Sequence, residues 1–268
     1  MKWQSDKNTP NRTALITGAS SGIGLEYSRQ LAAKGFDLVM VSNEPEEIMR
    51  TSGQIAEEYK IKTIPYYIDL ARPGAAKELF EWTISRQIQV DILINNAGIF
   101  IFREVTDTPA ERIQTLIDLH ISTVTKLCRL FAEDMKKRKK GYILNMSSMS
   151  CWMPMPGIAL YTASKAYIRV FSRSLHYELK EDGITVTTVC PGGIATGLYN
   201  LPENLLKLGV RLGILMTPQK MVKKALKALF NGKQQIIPGW INRMYIPLVA
   251  IMPARMRLIV KHKLLKNA

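Results

Sequence analysis

The sequence predicts a single doubly wound α/β domain, because strand-like and helix-like segments alternate and no linker or internal repeat divides the 268 residues. The predicted strands are 14–17, 38–42, 63–67, 92–95, 142–147, 185–190 and a short 235–237. The predicted helices are 23–34, 45–59, 74–87, 109–138, 161–182 and 218–230. Strands joined in this way pair in parallel through right-handed crossovers. We therefore expect one mostly seven-stranded parallel sheet with helices on both faces.

A glycine-rich turn follows the first predicted strand and precedes the first predicted helix. In such a turn Gly18 allows a tight bend, Gly22 lets the backbone approach a phosphate, and Gly24 lets the helix pack closely. The N–H groups at the start of the helix then face the phosphates of a dinucleotide. The predicted contacts in this turn are Gly18, Ser20, Ser21, Gly22, Ile23 and Gly24.

Composition places the chain among globular proteins that bury a sizeable core, with 47% hydrophobic and 22% charged residues. Its three cysteines, Cys128, Cys151 and Cys190, show neither metal-ligand spacing nor a disulfide framework. The first residues are polar and lack the apolar core of a signal peptide. We therefore expect a cytoplasmic protein with no metal site.

The net charge of +15 is concentrated near the C-terminus, because residues 191–268 hold 13 Lys and Arg against the single acid Glu203. One interpretation is a solvated basic surface. Another is attraction to an anionic membrane face or to an acidic substrate. Nucleic acid is not an expected partner, since no nucleic-acid-binding module accompanies the charge.

The C-terminal residues 239–268 differ in character from residues 1–238, which we assign to the nucleotide-binding and catalytic domain. The apolar stretch at 240–260 contains two prolines and three arginines, so a membrane-spanning helix is not expected. Two alternatives stay open for this basic tail: an interfacial amphipathic segment in peripheral contact with a membrane, or a helix packed on its own domain or a dimer partner.

Tyr161 and Lys165 lie one turn apart on the helix predicted at 161–182, so their side chains share one face. A free tyrosine has a pKa of about 10, and a neighbouring ammonium group favours the phenolate. Ser148, which follows the fifth predicted strand, can offer a hydroxyl to the same substrate oxygen. The three residues are candidate catalytic groups.

These features occur in a fixed order: the turn at 17–24, the segment NNAG at 95–98, Ser148, the pair Tyr161 and Lys165, and PGGIAT at 191–196. Over about residues 12–200 the chain resembles the short-chain dehydrogenase/reductase family. The resemblance implies a Rossmann-type fold, hydride transfer with NAD or NADP, and a homo-oligomer. It also implies that Tyr161 is the general acid/base, that Ser148 polarises the substrate oxygen, and that Lys165 holds the nicotinamide ribose.

The resemblance further assigns cofactor contacts outside the glycine turn and implies that Asn95 braces the central sheet. The implied contacts are Ser42, Asn43, Asp69, Leu70, Asn96, Ala97, Gly98, Tyr161, Lys165, Pro191, Gly192, Ile194 and Thr196.

One position departs from the family pattern, because His120 stands where the family usually places an asparagine whose main chain holds a proton-relay water. If only the main-chain carbonyl matters, the relay survives. If the side chain matters, His120 carries a proton itself.

Cofactor choice depends on the end of the second predicted strand. NAD-preferring members place an acid where Ser42 stands, and many NADP-preferring members place an arginine where Asn43 stands. We expect NADP(H) because the acid is missing, and NAD stays the alternative because the arginine is also missing and Glu44 lies nearby.

The predicted substrate lid, residues 197–216, is rich in leucine, and Trp152, Met153 and Met155 follow the candidate catalytic serine. This composition is typical of an apolar pocket, and it equally suits a lid that packs on the body. We expect a hydrophobic, lipid-derived ketone or secondary alcohol, such as a 3-ketoacyl, sphingoid or steroid-like compound. The alternatives are an NAD-linked dehydrogenase of small polar alcohols and a catalytically inactive, nucleotide-binding regulator at a membrane.

Overall fold

The computed structural model describes residues 12–196, 202–212 and 215–265. Seven parallel strands form one sheet in the order β3-β2-β1-β4-β5-β6-β7. The strands are β1 Thr13–Thr17, β2 Asp37–Ser42, β3 Thr63–Tyr67, β4 Val90–Asn95, β5 Gly141–Met146, β6 Ile184–Val189 and β7 Gln235–Ile236. The prediction of a doubly wound domain with a seven-stranded parallel sheet is confirmed.

Ten α-helices are described, and most connect consecutive strands. They are α1 Gly22–Ala32, α2 Pro45–Tyr59, α3 Ala75–Ser85, α4 Ala110–Ile117, α5 Val124–Lys137, α6 Ala159–Leu179, α7 Glu203–Arg211, α8 Pro218–Phe230, α9 Trp240–Ala250 and α10 Ala254–Leu265. Short 3₁₀ turns lie at Val105–Asp107 and Met149–Trp152, and a π-helical segment lies at Asp118–Thr123.

Both faces of the sheet are covered, so successive strand residues are buried on opposite sides. Ile16 faces a core formed with α1, α2 and α8, and the adjacent Leu15 faces a second core formed with α3, α5 and α6. Neither side chain is exposed at all. Burial on both faces explains why the central strands read as continuous apolar runs instead of alternating ones.

The strand order reverses between β1 and β4, because β2 and β3 lie on one side of β1 while β4 to β7 lie on the other. At such a point the connecting helices leave in opposite directions and open a crevice at the carboxyl ends of the strands. The turn after β1 and the loop after β4 therefore face each other across the place where a ligand is expected.

The predicted helix 109–138 is divided in the structure, because the π-helical segment Asp118–Thr123 separates α4 from α5. A π-helical turn inserts about one extra residue without breaking the helical path, so the apolar periodicity hides it. His120 lies within this segment.

The C-terminal tail forms α9 and α10. Val249 of α9 is buried, whereas Met256, Leu258 and Ile259 of α10 are each more than half exposed. Among the described residues, every helix is too short or too polar to cross a bilayer. The lid prediction falls partly on residues 197–201, 213 and 214, which lie outside the described residues, and α7 forms its described part.

Candidate active site

A cleft of about 560 Å³ lies at the carboxyl ends of the strands, where the strand order reverses. Most of the predicted site residues line it. They are Gly18, Ser20, Ser21, Gly22, Ile23, Ser42, Asn43, Asp69, Leu70, Asn96, Ala97, Gly98, Ser148, Tyr161, Lys165, Pro191, Gly192, Ile194 and Thr196. Two predicted residues, Gly24 and His120, lie behind this lining.

The glycine turn has the backbone that its sequence predicts. Gly18 and Gly22 have φ values of +64° and +54°, a region that residues with side chains rarely adopt. A Cβ built on Gly24 would lie 1.8 Å from the carbonyl oxygen of Gly18, so only glycine permits this approach of α1 to the turn. The N-cap residue Ser21 makes no side-chain cap, and the first turn of α1 holds no acid. The N–H groups at this end are therefore oriented to receive an anion.

Thr17 and Asn96 fasten the turn after β1 to the loop after β4. The Thr17 hydroxyl accepts hydrogen bonds from the Asn96 and Ala97 amides, at 3.0 Å each. The Asn96 side-chain amide donates to the Thr17 and Gly18 carbonyls, at 3.0 and 3.2 Å. These bonds set the width of the cleft floor. Thr17 begins the motif at 17–24 but was not among the predicted cofactor contacts.

Asn95 lies below the cleft and joins β4 to β5 and α6. Its amide group donates to Asn145 Oδ1 at 2.8 Å, and the Asn145 amide group donates to Ser172 Oγ at the same distance. Asn95 and Asn145 are almost fully buried. A buried polar network of this kind fixes the relative positions of the elements that carry the site residues.

Lys165 and Tyr161 face the cleft from the first turns of α6. The Lys165 Nζ atom donates to the Met146 carbonyl at 3.0 Å and lies 5.5 Å from the centre of the Tyr161 ring. Burial lowers the pKa of Lys165 to about 8, so the side chain is mostly an ammonium at neutral pH. The arrangement places a cation beside the tyrosine ring, as the spacing of the two residues predicts.

Ser148 begins the 3₁₀ turn at Met149–Trp152, and its Oγ accepts a hydrogen bond from the Ser150 amide at 3.1 Å. This bond occupies a lone pair of Oγ and leaves the hydroxyl proton available for donation. Ser148 therefore lines the cleft with a hydroxyl proton that can be donated to a substrate oxygen.

Aromatic side chains flank Tyr161 in a way that the sequence did not reveal. Phe100 packs edge-on against the Tyr161 ring, with centroids 5.0 Å apart, and it stacks on Phe102 at 6.5 Å. Both residues follow β4 in a loop without a motif, so no pattern singled them out. The two rings form an aromatic wall beside Tyr161, although neither is among the residues that line the cleft.

His120 is 1% exposed, and its two ring nitrogens are engaged. Nε2 accepts a hydrogen bond from the Ile99 amide at 3.0 Å, and Nδ1 lies 2.9 Å from Ser164 Oγ. Burial, and secondarily the charge of Lys165, hold the pKa of His120 well below its usual value. A neutral, fully engaged ring disfavours proton transfer by the side chain.

The end of β2 carries neither an acid at position 42 nor an arginine at position 43. Ser42 Oγ lies 2.8 Å from Ser20 Oγ and accepts a hydrogen bond from the Glu44 amide at 3.1 Å. Glu44 lines the same part of the cleft as Asn43. The geometry therefore provides hydroxyl and amide groups for an adenosine ribose and leaves the choice between NAD and NADP open.

Six further residues line the cleft and were not predicted from the sequence. They are Glu44, Ile68, Ile99, Leu119, Met146 and Ser147. Most adjoin predicted residues or end a strand, so the rule that ligands bind at carboxyl ends of parallel strands could have found them. Leu119 lies in the π-helical segment, for which the sequence holds no signal.

The groups present fit a nicotinamide dinucleotide. The glycine turn and the N-terminus of α1 suit its pyrophosphate, and the cleft is long enough for its two nucleotides. One end of the cleft is lined by Tyr161, Lys165 and Ser148. The shape and chemistry of the site are thus those of a hydride-transfer enzyme.

Comparison with known sequences gives the same class of protein as the geometry of the site. The family model described as short chain dehydrogenase matches residues 12–203. The very-long-chain 3-oxoacyl-CoA reductase of Anas platyrhynchos is 35% identical over 197 residues, which cover 71% of this chain and 62% of that protein. The enzyme of the same name from Rattus norvegicus is 29% identical over 242 residues, covering 85% of this chain and 76% of that protein. The chain thus spans less than two thirds of the duck relative.

Solved structures show the same fold. A 7beta-hydroxysteroid dehydrogenase aligns with a TM-score of 0.83 and 25% identity, covering 93% of this chain and 96% of that one. A short-chain dehydrogenase from Sphingobium yanoikuyae in complex with NADPH aligns with a TM-score of 0.77 and 27% identity, covering 91% and 97% of the two chains. The matched family model, the relatives and the shared architecture establish that this chain is an NAD(P)-dependent oxidoreductase belonging to the short-chain dehydrogenase/reductase family.

Proposed function

We propose that this enzyme reduces hydrophobic, lipid-derived ketones with NADPH. The observation that carries the substrate class is the aromatic wall, because Phe100 packs edge-on against the ring of Tyr161, the proposed proton donor. Relatives named very-long-chain 3-oxoacyl-CoA reductase, and a structural neighbour named as a hydroxysteroid dehydrogenase, support the same class.

In the proposed mechanism, the Ser148 hydroxyl donates a hydrogen bond to the substrate carbonyl oxygen and polarises it. A bound nicotinamide would supply the hydride to the carbonyl carbon. Tyr161 then gives its phenolic proton to the oxygen as negative charge develops there. The Lys165 ammonium, held by the Met146 carbonyl, stabilises the phenolate that remains. Reversal of the same proton transfer serves alcohol oxidation.

The substrate proposal predicts a chain-length dependence. With NADPH and 3-oxoacyl thioesters of increasing length, kcat/KM should rise about tenfold for every two methylenes buried, until the apolar pocket is filled. The rate of NADPH oxidation by the purified protein measures this, with a ketosteroid and a keto-sugar as comparison substrates. Faster turnover of the keto-sugar than of every lipid ketone would contradict the proposal. Faster turnover of small polar alcohols with NAD would favour the alternative dehydrogenase.

We propose NADP because position 42 carries no acid that would repel a 2′-phosphate. The carboxylate of Glu44, which lines the cleft, opposes this choice. Replacing Asn43 with arginine should raise the ratio of kcat/KM for NADPH to that for NADH by about tenfold, since a charge-assisted hydrogen bond to the phosphate is added. Asn43→Gln serves as the control and should leave the ratio within a factor of about three. A wild-type ratio that favours NADH more than tenfold would show that the assignment of NADP is wrong.

We also propose that the lid helix and the tail contact an anionic membrane surface. Leu205, Leu208 and Leu212 recur at helical spacing along α7 and its C-cap, and they are 48%, 48% and 62% exposed. Arg211 of α7 and Arg255 of α10 lie among exposed apolar residues. Apolar side chains beside cations are the combination that binds an interface.

Liposome co-sedimentation tests this contact. The protein should bind vesicles that contain phosphatidylserine, and high salt should release part of it. The double variant Arg211→Glu and Arg255→Glu should lower the partition coefficient more than tenfold, at about 1 kcal/mol for each cation removed. The control, Lys223→Glu with Lys224→Glu, makes the same charge change on α8 and should reduce binding far less. Equal losses of vesicle binding in the two double variants would indicate that overall positive charge drives binding and that α7 and α10 form no specific membrane surface.

A further inference from the structure

His120 connects two parts of the site that no other described side chain joins in this way. Its Nε2 atom accepts a hydrogen bond from the Ile99 amide at 3.0 Å, and its Nδ1 atom lies 2.9 Å from Ser164 Oγ. The Ser164 hydroxyl in turn donates to the Tyr161 carbonyl at 2.8 Å. The chain of bonds therefore runs from the loop after β4 to the turn of α6 that carries Tyr161.

The direction of each bond follows from the amide at one end. The Ile99 N–H can only donate, so Nε2 must be the unprotonated nitrogen. The single ring proton is then on Nδ1, which donates it to Ser164 Oγ. Ser164 is left with its own proton, and that proton goes to the Tyr161 carbonyl. Every donor meets an acceptor only when His120 is the neutral Nδ1–H tautomer.

The surroundings maintain this state. His120 and Ser164 are each 1% exposed. A second proton would have to bind Nε2, where it would displace the Ile99 hydrogen bond and face the Lys165 ammonium nearby. A Cβ built on Gly98 would lie 2.9 Å from Nε2, which shows how closely the loop approaches the imidazole.

Ile99 stands between two residues that matter for the site. Gly98 precedes it and lines the cleft, and Phe100 follows it and packs on the Tyr161 ring. Fixing the Ile99 amide therefore fixes the cleft floor on one side and the aromatic wall on the other. The second half of the bridge fixes the Tyr161 backbone relative to the same point.

We propose that His120 is a positioning residue, a neutral bridge that holds the Gly98–Phe100 loop at a set distance from Tyr161. Both hydrogen bonds of this bridge are made by the His120 side chain. The inference rests on the proposed role of Tyr161 as acid/base. The bridge contributes to catalysis by keeping the Tyr161 hydroxyl, the aromatic wall and the cofactor floor in one geometry.

Three substitutions separate the two halves of the bridge. His120→Gln can place an acceptor near Nε2 and keep the Ile99 bond, His120→Asn can place a donor near Nδ1 and keep the Ser164 bond, and His120→Phe keeps the ring shape and neither bond. We expect kcat to fall about tenfold in each amide variant and about a hundredfold in His120→Phe. The KM for NADPH should change less than about threefold.

His176 is the matched control, since it is the other buried histidine described and lies on α6, where its Nδ1 is 2.8 Å from the Val186 carbonyl. His176→Phe should lower thermal stability comparably while leaving kcat near the wild-type value. Equal kcat losses in the two phenylalanine variants, or a His120→Phe protein with wild-type kcat, would overturn the proposal.

A measurement that needs no substrate completes the test. Two-bond nitrogen–proton NMR spectra of the imidazole rings should show His120 as the Nδ1–H tautomer throughout the neutral pH range. An Nε2–H tautomer or a cation there would overturn the bridge. If the wild-type protein reduces no ketone but His120 shows the Nδ1–H tautomer, the proposed function fails and the bridge itself survives.

Discussion

Replacing Tyr161 with phenylalanine should lower kcat for ketone reduction about a thousandfold, the size expected when a general acid is removed. Phenylalanine retains the ring that packs against Phe100 and lies near the Lys165 ammonium, and it loses only the hydroxyl. The KM for NADPH should therefore change little. Steady-state rates, together with cofactor titration followed by nicotinamide fluorescence, measure the two effects separately.

Tyr177→Phe is the control for this variant, because Tyr177 lies on the same helix and is 60% exposed. This substitution also removes one hydroxyl group, and it should leave both kcat and KM unchanged. Unchanged turnover in Tyr161→Phe would remove the catalytic role of Tyr161. A wild-type protein that binds NADPH tightly and turns over no ketone would instead favour the alternative of an inactive regulator.

Much of the architecture was predictable because the relevant signals are local. A strand ending in a glycine turn, and a tyrosine one helical turn before a lysine, can be identified without knowing what lies elsewhere in the chain. The parallel sheet then brings the carboxyl ends of the strands together, so residues far apart in sequence converge on one cleft. For this reason Gly18, Asn96, Ser148 and Tyr161 line the same cavity.

The remaining features depend on contacts between distant segments. The resemblance implied that Asn95 braces the sheet, but its partner Asn145, and the bond from Asn145 to Ser172, form only after β5 and α6 have packed beside β4. His120 receives its hydrogen bond from a backbone amide, and every residue type except proline offers such an amide. No pattern in the sequence around Ile99 or Phe100 could have indicated these partners.

The choice between NAD and NADP shows a different limit. Ser42 and Asn43 were the correct positions to inspect, since both line the cleft. Neither side chain carries a charge, however, so no strong electrostatic preference follows from them. The structure adds the Ser20–Ser42 contact, and the described residues that line this end of the cleft include no cation, so the selectivity has to be measured.

Gly24→Ala should have a large effect on both cofactor binding and stability. The new Cβ would lie 1.8 Å from the Gly18 carbonyl oxygen and 2.7 Å from Asn96 Nδ2, so α1 must move away from the turn. That movement disturbs the Asn96 bond to Gly18 and the N–H groups meant for the pyrophosphate. We expect the Kd for NADPH to rise more than a hundredfold and the free energy of unfolding to fall by about 1–3 kcal/mol.

Gly53→Ala makes the same chemical change where the structure leaves open space. Gly53 lies inside α2, and a Cβ there would meet no atom within 4 Å. Alanine in an exposed helix interior should raise the free energy of unfolding by about 0.5–1 kcal/mol and leave NADPH binding unchanged. Urea unfolding and cofactor titration of both variants measure the contrast. The added methyl group is the same in both variants. If only Gly24→Ala lowers the free energy of unfolding and weakens NADPH binding, the cause is the close approach of α1 to the turn and not the loss of a glycine as such. A Gly24→Ala protein that bound NADPH normally would contradict the prediction, because it would show that NADPH binding does not require this close approach.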